Sequence, residues 1–168
     1  MPPEAVATAV RTAFKPRGSP TATAPPLASF RLYPIDDPAA PPEWQLQANA
    51  ERNPALKRYL SLPAGARRGD FFISEPTYAA YWPSEYFWSG QAVEFRCDFI
   101  VHLAPVPAGT RVEVIEYLPT IRVGRKFGLP AHGVVPGMVS DVRRVEPTTR
   151  DRRTVLAAIL EAATVAAR

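Results

Sequence analysis

A mixed α+β fold, with a twisted antiparallel sheet packed against a C-terminal amphipathic helix, is predicted by three features of this chain. Val93, Phe95, Cys97, Phe99, Val101 and Leu103 alternate with Glu94, Arg96, Asp98 and His102. That period of two marks a strand with one buried and one solvated face. Residues 110–123 return with β-branched and aromatic side chains, as the second arm of a hairpin does. Near the end, Val155, Leu156, Ile159, Leu160 and Ala163 form the stripe of a helix lying on that sheet.

The remaining elements follow in order. Residues 3–14 read as a helix, because Val6, Val10 and Phe14 recur every four residues after two early prolines. Residues 16–42 hold eight of the twenty prolines, which excludes a regular helix or a central strand. Residues 16–52 are therefore read as an extended strap laid over its own domain or a neighbouring subunit. Leu27, Phe30, Leu32, Tyr33 and Ile35 give it apolar anchors. Asn53-Pro54 starts a short helix as cap and first turn, and Leu56, Tyr59 and Leu60 line one face. A brief strand at 70–74 precedes the aromatic segment 78–88. Between the two long strands, residues 104–109 suit a long hairpin loop better than a tight turn. Residues 124–140 read as an irregular loop, residues 141–145 as a last strand. Thr148-Thr149-Arg150-Asp151 approximates a capping box for the closing helix. The organisation is thus a helix over 1–15, a strap over 16–52 and an α+β domain over 53–168.

At 168 residues and 46% apolar content the chain can bury one sizeable core. No run approaches the roughly 18 apolar residues of a membrane span, and the first residues lack the pattern of a secretory signal. A soluble form, cytoplasmic or processed in the envelope or periplasm, is expected. The net charge of +4 lies wholly beyond residue 110, where ten basic residues face six acidic ones. That excess favours acidic partners but is too sparse for nucleic-acid binding.

Chemistry-bearing patterns are few. Two histidines, His102 and His132, sit on different elements, and no pair of His, Cys, Asp or Glu has metal-site spacing. There is no nucleophile elbow, phosphate loop or dinucleotide fingerprint. His102 falls on the polar face of its strand, where a solvated ring is expected, and the lone Cys97 falls on the apolar face as a buried, inert thiol. No catalytic residue, metal or cofactor is expected. Partner or ligand contact is assigned to Phe30, Tyr33, Tyr81, Trp82, Tyr86 and Trp88, since crowded aromatics serve either as core or as binding hot spots. The apolar phase shifts from Val112 and Val114 to Ile115 and Tyr117, which predicts a bulge near 114–116. Such a bulge turns Glu116 toward a ligand or an arginine. Arg125 and Lys126, in a glycine-flanked turn, join Arg150 and Arg153 of the closing helix as candidate anion contacts.

The alternating strands 93–103 and 110–123, followed by the capped helix 149–167, resemble the helix-grip folds. These include START-type lipid-binding domains and smaller bacterial envelope lipoprotein domains. The resemblance is one of architecture and implies a binding site between sheet and helix. Two functions are compatible with these residues. One is a non-catalytic structural or accessory subunit, contacting a protein partner or its own copies through strap and aromatic segment. The other is a small binding module for an apolar ligand or peptide.

Overall fold

The computed structural model describes residues 1–14, 31–74, 79–81, 91–125, 139–144 and 149–166. Four helices and six strands are formed by these residues: α1 (Pro3–Ala13), β1 (Arg31–Pro34), α2 (Glu43–Ala50), α3 (Pro54–Leu60), β2 (Phe71–Ser74), β3 (Ala79–Tyr81), β4 (Gln91–Val106), β5 (Gly109–Arg125), β6 (Val139–Arg144) and α4 (Thr149–Ala166). A 3-10 turn spans Ala64–Arg67. The strands make one antiparallel sheet in the order β1-β2-β4-β5-β6, with β3 on the same edge of β4 as β2. The fold class expected from the sequence is therefore found. So is the pairing of 93–103 with 110–123, now extended at both ends.

Both faces of the sheet are covered, which the single wet face read from the sequence did not anticipate. On one face Val6, Val10 and Phe14 of α1 and Val155 and Ile159 of α4 pack on Phe71, Ile73, Phe99, Val101, Leu103 and Val114. On the other, Leu46 and Ala50 of α2 and Leu56 and Tyr59 of α3 pack on Phe72, Ile100, Ile115 and Tyr117. Alternation along β4 is kept, but each parity is buried against its own helical layer. Cys97 is buried, as expected.

This double cover corrects the phase argument for β5. Val114 and Ile115 are both apolar because both faces are dry. The bulge lies further on, where Leu118 and Pro119 oppose Cys97 alone. Leu118 takes φ +49° there, a left-handed conformation that leucine rarely adopts. The connection between β4 and β5 is also tighter than expected. Val106 pairs with Gly109, leaving Pro107 and Ala108 as a two-residue turn. Gly109 has φ +134°, and a β-carbon on it would lie 2.8 Å from the Met1 backbone nitrogen, so a side chain there is excluded twice over.

Within the stretch read as strap, two segments are regular. Residues 31–34 form an edge strand on β2, a position that tolerates Pro34. Residues 43–50 form α2 rather than extended chain. No proline interrupts 43–53, and Leu46 and Ala50 recur at i, i+4 over the sheet. The stripe on α4 is centred on Val155 and Ile159, with Leu156 half-buried and Leu160 56% exposed.

Candidate functional site

Where the helix α3 begins, Asn53 behaves as its sequence predicts. Its side chain accepts from the Leu56 N–H at 3.1 Å, capping the first turn. Its Nδ2 also donates to the Glu116 carbonyl at 2.6 Å, tying α3 to β5. The tie sets α3 over the sheet so that Tyr59 packs edge-on against His102, ring centroids 5.5 Å apart.

His102 is 4% exposed, contrary to the solvated ring expected from its polar parity. Its face of β4 is the one that α3 covers. Burial of an imidazole demands a partner, and Asp70, at the start of β2, supplies it. Asp70 Oδ2 lies 2.8 Å from His102 Nδ1, and Asp70 Oδ1 accepts the Leu103 N–H at 2.9 Å. With Asp70 ionised, the carboxylate only accepts, so Nδ1 carries the proton and donates. Burial pushes the Asp70 carboxyl above its usual range, and the bonds from Leu103 and His102 offset this in part. The Tyr59 hydroxyl is buried near this carboxyl. Its pKa is raised first by burial and then by the negative charge of Asp70. Asp70 further accepts, through its backbone oxygen, the Ile35 N–H at 2.9 Å. It thereby joins the end of β1 to the segment leaving the 3-10 turn.

Above this buried cluster opens a cleft of about 180 Å³. Ile35, Pro41, Leu46, Ala64 and Tyr59 give it apolar walls, and Asp36, Glu43, Arg67 and Arg68 give it charge. Arg67 lies over the Tyr59 ring at 5.8 Å and pairs with Glu43 at 3.0 Å, so it closes the cluster from solvent. Next to Glu43 on α2 stands Trp44, 70% exposed. An indole so open to water is unusual for the largest apolar side chain.

Of the residues singled out from the sequence, Tyr33, Glu116 and Arg153 do not line this cleft. Tyr33 is half-buried on β1, against the α2–α3 layer. Glu116 is buried, and its Oε1 accepts the Arg152 N–H at 3.3 Å in the first turns of α4, a contact with a helix terminus. Arg153 is exposed on α4. Tyr81, Arg125 and Arg150 belong to β3, β5 and α4 respectively, where the backbone alone is described. Phe30, Trp82, Tyr86, Trp88 and Lys126 lie outside the described residues, as do Thr148 of the capping box and most of 16–42 and 78–88. Sequence reading missed Arg67, Asp70 and His102 as a neighbourhood around Tyr59, and Trp44 as an exposed indole. Asp70 and His102 are 32 positions apart, and no local pattern links them. Trp44 carried a signal, as a lone indole in an otherwise polar stretch.

Among the described residues no cluster of three or more His, Cys, Asp or Glu is placed to hold a metal ion. Among them, too, no helix is long and apolar enough to cross a membrane. No protein-family model, curated protein or solved structure matches this chain.

Proposed function

We propose that this protein is a non-catalytic interaction protein, a structural or accessory subunit that engages a protein partner at the cleft beside α2. The exposed indole of Trp44 carries the reading. Tryptophan is among the residue types enriched at binding hot spots, and this one is exposed on α2, the helix whose Glu43 and Leu46 line a recess with apolar walls and a charged rim. The recess is smaller than the roughly 300–1,000 Å³ usual for a metabolite pocket. Its volume suits one inserted side chain. The Asp70–His102 pair supports a structural role, since it is sealed beneath Tyr59 and Arg67 and satisfies a backbone N–H. Against a ligand held between sheet and α4 stands the packing there, where Val155 and Ile159 are buried directly on the sheet.

Replacing Trp44 with photoreactive benzoylphenylalanine in the native cell tests the proposal. Illumination is expected to give a defined protein adduct, lost when Ala64→Arg fills the cleft. Absence of any protein adduct at this position, in a folded chain, refutes it.

A further inference from the structure

We propose that the cleft takes the carboxyl terminus of its protein partner, a last residue whose apolar side chain enters the recess while its carboxylate meets Arg67 and Arg68. The inference rests on the reading of the cleft as a protein-docking surface and names the group that fills it.

The donors of the rim are not fully used within the chain. Arg67 Nη2 donates to Glu43 at 3.0 Å, while its Nε is buried without an acceptor among the described residues. A buried N–H left without an acceptor is costly, so this arginine gains from an anion beside it. Arg68, the other cation of the cleft, is exposed and makes no ion pair among the described residues. Asp36 also lines the cleft and pairs with neither arginine. Guanidinium groups with unspent donors suit a carboxylate, whose two oxygens accept from such a fork.

The recess next to them is apolar. Ile35, Pro41, Leu46 and Ala64 wall it together with the Tyr59 ring, around a volume of about 180 Å³. An apolar cavity of about 150 Å³ holds a benzene molecule, so this one has room for one large apolar side chain. An internal acidic residue carries its charge at the tip of the side chain, where these walls would desolvate it. A chain terminus instead carries the apolar side chain and the carboxylate on the same α-carbon. Asp36 and Glu43 repel an acidic run, so one carboxylate fits this rim better than several.

Short peptides with a free carboxylate test this on the full-length chain. The isotope-labelled protein is titrated with N-acetyl-Gly-Ala-Leu and with the C-terminal amide of the same peptide, and amide shifts are read by two-dimensional NMR. The acid is expected to shift Ile35, Leu46 and Arg68 saturably, and the amide to bind about tenfold more weakly, as loss of a charge-assisted contact gives. Arg68→Ala should bring the acid to the level of the amide, with Arg68→Lys in between. Ala64→Phe, which fills the recess without adding charge, should abolish binding of both. Ala64 and Arg68 are exposed, so far-ultraviolet circular dichroism should match the wild type for all three variants. Equal binding of acid and amide overturns the proposal, as does acid binding untouched by Arg68→Ala or no saturable shift up to about 10 mM peptide. Free leucine binding as tightly as the peptide also overturns it, since the site would then hold an amino acid rather than a chain end. A position-44 adduct that survives removal of the partner's last residues sinks this inference and leaves the docking surface standing. Absence of any adduct is the failure of the docking reading itself.

Discussion

Removing the Asp70 carboxylate tests the buried cluster most directly. Asp70 is 1% exposed and His102 4%, so water cannot replace what a truncation takes away. Asp70→Ala leaves two orphans, the Leu103 N–H and His102 Nδ1. Each buried unsatisfied group costs about 1–3 kcal/mol, so the two together cost about 2–6 kcal/mol. A loss of this size is therefore expected in urea denaturation at neutral pH, a large share of an ordinary domain's stability. Asp70→Asn should cost less, because the amide oxygen still accepts from Leu103 and no charge is buried. The pH dependence separates the charge from the shape. Burial raises the folded carboxyl above its unfolded value of about 3.9. The folded state then binds the proton more tightly than the unfolded chain. The stability Asp70 contributes is fully present below the unfolded value and is lost as pH rises through the raised folded one. Wild-type stability minus that of Asp70→Asn should accordingly fall across this window and level off above it. A difference that grows with pH would refute the reasoning, since it would mean that pairing outweighs burial. A loss under about 1 kcal/mol for Asp70→Ala would mean the pair is not formed.

Ile159→Ala should destabilise by about 2–5 kcal/mol, as a buried large-to-small change does. Leu160→Ala should stay within about 0.5 kcal/mol, and equal losses from the two would mean α4 docks through another face. Asn53→Ala should cost about 1–3 kcal/mol in chemical denaturation, since it removes a helix cap and a buried bond to β5 together. Cys97, 1% exposed at the bulge, should react with a thiol reagent in the native protein far more slowly than after unfolding. Rapid native labelling would exclude the observed register of β4 on β5.

What local order determines was legible in the residues themselves. The four-residue recurrence of Val6, Val10 and Phe14 marked α1, and Asn53-Pro54 marked the start of α3, because helix period and capping depend on neighbours within one or two turns. The alternation over 93–103 marked β4 and the burial of Cys97 for the same reason. Alternation, however, reports which residues share a face and is silent on what lies over each face. Two helical layers cover this sheet, and the second is α2 with α3. That cover turns His102 from a solvated ring into a buried one held by Asp70. It also made the apolar residues at 114 and 115 look like a slipped register when each simply meets its own layer. The cleft beside α2 arises likewise from segments distant in the chain, the exit of β1, α2, α3 and the 3-10 turn. The sequence by itself determined α1, α3, α4 and the pairing of β4 with β5, through interactions reaching a few residues. The tertiary structure alone decided which polar groups were buried together, because burial depends on elements far apart in the chain that meet only when the layers close.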